Sequence, residues 1–157
     1  MDDASPNGGM ITLGWEGFGR TAREFANEIS AQFTPDLVVG IARGGVIVGA
    51  VIASAMQVDF FPIKVTRRMM AEVVNEEPTL VIKPYTYAQG KKVLLVDDIS
   101  RTGETMRIAR RALEVFHPTI IKTACYADYD GDGYKPDFYK ISVDTQLAFP
   151  WDYHLLG

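Results

Sequence analysis

The sequence predicts an α/β fold, a mostly parallel twisted sheet flanked by helices. Three observations carry this expectation. Short apolar runs bounded by turn signals alternate with segments of helical periodicity, the pattern of βαβ units. The run "KVLLVD", Lys92 to Asp97, is apolar without alternation, as a strand covered on both faces must be. The chain has 157 residues, the length of one domain, and a domain of that size can bury roughly two thirds of its unfolded surface.

The elements follow in order. From Gly17 to Phe33, apolar residues recur at Phe18, Ala22, Phe25, Ala26, Ile29 and Phe33, which is helical spacing, and Thr34-Pro35-Asp36 stops the helix. "LVVGI", Leu37 to Ile41, reads as a buried strand. After "ARGG" comes a helix over Val46 to Met56 that is apolar nearly all round. "DFFPIKV", Asp59 to Val65, is the next strand. Thr66 to Gly90 is a long excursion holding Arg67, Arg68, three glutamates, two prolines and a strand-like "TLVIK". Excursions of that length in a compact domain are usually functional or disordered. Lys92 to Asp97 is a parallel strand, and Gly103 to Phe116 a helix with Met106, Ala109, Leu113 and Phe116 on one face. "TIIKTACYA" and "FYKISV" are further strands, and "LAFP" is a candidate last one.

Composition narrows the function. The apolar share of 47% and charged share of 23% are those of a soluble globular protein. A net charge of −4 argues against nonspecific nucleic-acid binding. Cys125 is the only cysteine, which excludes a disulfide framework within one chain and fits a reducing compartment. No apolar run reaches the ~18 residues of a membrane span. "MDDASPNGGM" has neither a basic nor an apolar signal region, so residues 1–10 are expected to be a disordered leader, residues 11–157 a single domain, and the protein cytoplasmic.

The chemistry concentrates in "LLVDDISRTGET", Leu94 to Thr105. Ligands of open α/β sheets sit beyond the carboxyl ends of the strands, where Asp97 and Asp98 lie. "SRTG" then opens a helix, whose free N–H groups favour an anion. Thr102 and Thr105 add hydroxyl donors, and Gly103 permits close approach to the backbone. The two carboxylates can accept hydrogen bonds from a diol or hold hydrated Mg²⁺. A sugar phosphate matches both halves. Taken singly, Asp-Asp is as readily a solvated strand end and Thr-Gly a helix cap. The ordered combination is more specific, and no Walker P-loop occurs.

"VLLVDDISRTGET" resembles the phosphoribosyl-pyrophosphate motif of the type I phosphoribosyltransferases. "GIARGGVIVGA" looks like the pyrophosphate loop of that family, and "VDTQLAFPWD", Val143 to Asp152, like the C-terminal segment of its bacterial and archaeal xanthine-guanine type. The resemblance covers Val38 to Asp152. It implies a Mg²⁺-dependent transfer of a phosphoribosyl group from phosphoribosyl pyrophosphate to a nucleobase in purine salvage.

By the resemblance, Asp97 and Asp98 address the ribose, with Asp98 also near the metal. Ile99, Ser100, Arg101, Thr102, Gly103, Glu104 and Thr105 wrap the 5′-phosphate, and Arg43, Gly44 and Gly45 hold the pyrophosphate. Gln146, Leu147 and Trp151 fall in the small C-terminal base-binding segment, and Thr66–Gly90 in a mobile lid loop. Arg101 joins Asp97 and Asp98 as a catalytic candidate.

Departures from the family pattern sit on the base side. Arg101 stands where the 6-oxopurine branch has an aspartate that takes the purine N7 proton. Gln146 stands where an aromatic ring stacks on the purine. The lysine for the 6-oxo group has no counterpart in "TACYADYD", since Lys122 is too early and Lys135 lies in the following loop. Arg67-Arg68 replaces the lid's Ser-Tyr pair. A guanidinium donates and cannot take a proton at neutral pH, so Arg101 pairs with an acidic or carbonyl-rich base such as xanthine, or with a second phosphate, or turns to solvent, and a base anionic near pH 7 is expected to be preferred over hypoxanthine and guanine. The alternative is a non-catalytic phosphoribosyl-pyrophosphate- or nucleotide-binding regulator.

Other signals are read as structural. "DYDGDG", Asp128 to Gly133, begins like a calcium loop but has Tyr139 at position 12, so a solvated acidic turn is expected. His117 and His154 are not spaced as a metal pair, and Cys125 is a buried hydrophobe. Met69-Met70 and the Arg107/Arg110/Arg111 face point to a homo-oligomer.

Overall fold

A computed structural model describes residues 9–65, 85–129 and 133–156. Strands are β1 (Ile11–Thr12), β2 (Leu37–Ile41), β3 (Asp59–Ile63), β4 (Lys92–Ser100), β5 (Ile120–Tyr129), β6 (Phe138–Val143) and β7 (Leu147–Ala148). Helices are α1 (Trp15–Ser30), α2 (Gly44–Met56), α3 (Tyr85–Ala88), α4 (Glu104–Glu114) and α5 (Tyr153–Leu156). The main sheet has five strands in the order β3-β2-β4-β5-β6, every neighbouring pair parallel.

Helices cover both faces of this sheet, which is why β4 carries no polar alternation. Leu94 and Val96 pack with Phe18, Phe25, Val48 and Ile52 on the α1/α2 face. Val93 and Leu95 pack with Met106, Ala109 and Leu113 of α4 on the other. Each fully buried leucine contributes about 1.5–3 kcal/mol relative to exposure.

Several element ends differ from the sequence expectation, each for a local reason. β4 runs three residues past Asp97, because β5 continues to pair with it as far as Ser100 opposite Asp128. Asp97 and Asp98 therefore lie within the last turn of pleat, not beyond the strand. The following helix waits until Glu104, because Gly103 has a left-handed φ of 71°. α1 spans Trp15–Ser30, with the Phe33 N–H closing a last turn on the Ile29 carbonyl at 2.8 Å.

The candidate strand "LAFP" reduces to β7. It pairs in parallel with β1, an element the sequence reading placed no strand on, and not with the main sheet. Of the leader only residues 9–10 are described, and the Gly9 carbonyl accepts the Thr145 hydroxyl at 3.4 Å. Most of Thr66–Gly90, with Arg67-Arg68, Met69-Met70 and "TLVIK", lies outside the described residues. Its end is the helical turn α3, where Ala88 is buried and Tyr87 packs on Phe61 at 5.0 Å. The start of the acidic turn is corrected: Asp128 is 3% exposed and paired with Lys135 at 2.8 Å.

Candidate functional site

A cavity of about 990 Å³ opens over the C-terminal ends of β2 and β4. Two turns that start helices form its walls. One is Ala42-Arg43-Gly44, leading from β2 into α2, with a cis peptide between Ala42 and Arg43. The other is Ser100 to Thr105, leading from β4 into α4. Neither N-cap residue bonds its own helix start through a side chain, and in α4 the first N–H, that of Glu104, donates to the Thr102 hydroxyl at 3.4 Å. Gly44 lets the first wall close onto Asp98: a Cβ there would overlap the Asp98 carboxylate. At Gly45 a Cβ would lie 2.6 Å from the Val96 carbonyl, so α2 and β4 touch backbone to backbone.

Asp97 and Asp98 form the floor, both half-buried. The Asp98 N–H donates to Asp97 Oδ1 at 2.9 Å, and the Ile99 N–H to Asp98 Oδ1 at 2.8 Å. Burial pushes the Asp97 carboxyl well above the usual carboxylate range, and the neighbouring Asp98 charge pushes it further. Burial also raises Asp98. Hydrogen bonds from Asp97, the Trp151 indole and the Ile99 N–H oppose that rise, and the Asp152 charge adds to it. A cation placed here would reverse the cost of ionising both.

Around this floor the other expected residues take different places. Arg43 is exposed at the rim. Ser100 is 4% exposed, and its hydroxyl has no partner among the described residues. The Glu104 carboxylate turns along α4 to Arg107, whose hydrogen bonds and charge lower its pKa. Arg101 lies with its guanidinium 4.4 Å from the Tyr129 ring centroid, a cation–π contact at the end of β5.

The C-terminal expectations divide. Trp151 lines the cavity and donates from Nε1 to Asp98 Oδ2 at 3.3 Å. Leu147 does not reach it: β7 turns that side chain into the core, where it is 3% exposed. Gln146 is exposed, and its carbonyl accepts the Ile11 N–H at 2.8 Å in the small sheet. Neither lines the cavity.

In their stead Asp152, Tyr153 and His154 line it, together with Ile47 and Met106. The pattern "FPWD" was the only signal that could have brought Asp152 forward. Lys135, set aside as a loop residue, reaches back to the end of β5. Its Nζ lies 2.8 Å from Asp128 Oδ2 and 3.4 Å from the Tyr129 carbonyl.

Fold and cavity place the chain among α/β enzymes whose ligands sit beyond the carboxyl ends of parallel strands, between two helix-opening turns. Within that class the chain belongs to the phosphoribosyl transferase domain family, whose model matches residues 13–156. A xanthine-guanine phosphoribosyltransferase from Gluconobacter oxydans is 29% identical over 144 residues, 90% of this chain and 83% of the relative. An adenine phosphoribosyltransferase from Cupriavidus taiwanensis is 35% identical over 100 residues, 59% of this chain and 53% of the relative. The chain thus spans about half the length of that relative. A purine phosphoribosyltransferase from Pyrococcus horikoshii superposes with a TM-score of 0.78 at 25% identity, over 91% of this chain and 94% of that one. The type I phosphoribosyltransferase fold and enzyme class expected from the motif are those of this chain. No described helix is long and apolar enough to cross a membrane.

Proposed function

We propose that the protein transfers a phosphoribosyl group from phosphoribosyl pyrophosphate to a purine, in a Mg²⁺-dependent salvage reaction. The observation that carries this is the Asp97–Asp98 floor pressed against Gly44, with a helix start on either side. In this reading Asp97 and Asp98 accept the ribose hydroxyls. Ser100 to Thr105 hold the 5′-phosphate through N–H groups and hydroxyls, and the unpartnered Ser100 hydroxyl gains an acceptor there. Arg43 and the N–H groups of Gly44 and Gly45 hold the pyrophosphate, for which a guanidinium is a bidentate partner.

The carbon–oxygen bond to pyrophosphate breaks, and pyrophosphate leaves with the electron pair. A ring nitrogen of the base forms the new bond and loses its proton to solvent. Arg43 stabilises the leaving charge, and the nearby carboxylates tolerate a cation-like ribosyl carbon.

The residues fit a magnesium ion. Among the described residues no cluster of three or more His, Cys, Asp or Glu is arranged for a metal. Mg²⁺ commonly takes only one or two carboxylates and completes its shell with substrate phosphates and water. Asp98 would hold it with Asp97 beside it, and a cation there would offset the burial that raises both carboxyls. When bound, the ion supplies charge neutralisation at the pyrophosphate.

Xanthine is the base this site favours. Arg101 brings five N–H donors and no acceptor, held on Tyr129 at the cavity's edge. Purines rich in carbonyl oxygen and acidic near neutrality suit such a donor. The assay combines protein, phosphoribosyl pyrophosphate, Mg²⁺ and a panel of nucleobases, and measures nucleotide formed. Xanthine is expected to outpace hypoxanthine, guanine and adenine.

A second reading is a phosphoribosyl-pyrophosphate- or nucleotide-binding regulator. It is favoured by the placement of Gln146 and Leu147 away from the cavity. Tight binding of Mg²⁺ and phosphoribosyl pyrophosphate with no nucleotide from any base would select it. A homo-oligomer in solution, which light scattering measures, completes the proposal.

A further inference from the structure

Trp151 reaches the acidic floor from the C-terminal end of the chain, and its ring is held on several sides. Its face stacks on Phe149, with centroids 4.7 Å apart and planes 6° apart. Phe18 meets it edge-on at 5.0 Å, and Trp15 lies 5.9 Å away. Phe149 is itself 1% exposed. The turn that carries the indole is closed twice: the Phe149 N–H donates to Asp152 Oδ2, and the Asp152 N–H to the Phe149 carbonyl, each at 2.9 Å. A phenyl ring would satisfy the same packing. What the indole adds is one N–H, and it is spent on Asp98 Oδ2 at 3.3 Å.

We propose that Trp151 is a positioning residue: its indole N–H fixes the orientation of the Asp98 carboxylate and so couples the C-terminal turn to the sugar-binding floor. This rests on the reading of Asp98 as a ligand-binding carboxylate. Asp98 Oδ1 accepts the Ile99 N–H and Oδ2 the indole, and the Asp97 carboxyl adds a third hydrogen bond. A carboxylate accepts about four hydrogen bonds over its two oxygens, so about one acceptor direction stays open. Gly44 lies so close to the carboxylate that a Cβ there would overlap it, and the two N–H donors hold its two oxygens. Groups that orient a ligand-binding side chain commonly change affinity about 10- to 100-fold when removed.

Trp151→Phe keeps a ring on Phe149 and Phe18 and removes the donor. The expected result is a rise of about tenfold in the dissociation constant for Mg²⁺ with phosphoribosyl pyrophosphate, measured by calorimetry, because a bond of 3.3 Å belongs at the weak end of that range. In an Asp98→Ala background the same substitution should add no further loss. Affinity within about twofold of native, or an equal loss in both backgrounds, would overturn the proposal.

Should Trp151→Phe fail to fold, the indole N–H signals of the two tryptophans in ¹⁵N NMR decide the matter, with Trp15→Phe assigning them. The Trp151 signal should move on Asp98→Ala and on adding Mg²⁺ with phosphoribosyl pyrophosphate, while the Trp15 signal stays. A stationary Trp151 signal refutes the contact. Native affinity in Asp98→Ala would sink the assignment of the floor itself. Loss in Asp98→Ala beside native affinity in Trp151→Phe would sink the positioning role alone.

Discussion

Gly44→Ala is the smallest change that should disable the cavity, a single methyl group. Gly44 is the first residue of α2 and is buried. A Cβ there would overlap the Asp98 carboxylate and stand 2.9 Å from the Asp98 Cβ. The helix cannot retreat cheaply, because Gly45 next to it already touches the β4 main chain. Asp98 must therefore turn, and it loses the Ile99 N–H bond of 2.8 Å, the Trp151 bond of 3.3 Å, or both. Overpacking of this kind costs about 1–3 kcal/mol of stability. A misplaced carboxylate forfeits about 1.5–3 kcal/mol of charged hydrogen bonding to a ligand, on the order of tenfold to a hundredfold in affinity. Urea denaturation measures the first quantity and calorimetric titration of Mg²⁺ with phosphoribosyl pyrophosphate the second. Native stability together with native affinity would refute the close approach of α2 to Asp98 on which the site is built.

Asp98→Asn keeps the shape and removes the charge, so binding of Mg²⁺ with phosphoribosyl pyrophosphate should weaken about tenfold or more; unchanged binding counts against a role in holding the ligand. Arg101→Asp should raise hypoxanthine or guanine turnover relative to xanthine in a competition assay, and an unaltered ratio removes Arg101 from base selection. Asp97 has a raised pKa in the folded chain, so the folded state binds the extra proton. Its contribution to stability is full below the unfolded value of about 3.9 and is lost as pH rises through the folded value. Without Mg²⁺, Asp97→Asn should therefore raise Tm at pH 7 and not at pH 3.5, and equal shifts at both would contradict the sign. Lys135→Met leaves the buried Asp128 carboxylate without its 2.8 Å partner and should cost about 1–3 kcal/mol in urea denaturation; no loss would mean solvent replaces the ammonium.

Sequence periodicity alone determined the layered α/β order and several element bounds. β2 and β6 occupy the predicted residues, because a run of apolar residues between turn signals has one use in a covered parallel sheet. The Ser100–Thr105 turn and the carboxylate pair were legible as parts of one cavity because they are contiguous and the pattern lies in local order. The base side was not contiguous, and there the tertiary structure decided. Whether Leu147 faced a ligand or the core depended on the parity of a two-residue strand and on its partner β1, 136 residues earlier in register. That Trp151 meets Asp98 depended on closing a loop of 53 residues, which no local pattern records. Arg101 finding Tyr129, and Lys135 folding back to Asp128, follow from β5 pairing with β4 past its predicted end, which sets the end of β5 beside the Ser100–Thr105 turn. Short-range patterning specifies which faces are buried, while the contacts around the cavity are made between segments brought together only when the sheet assembles.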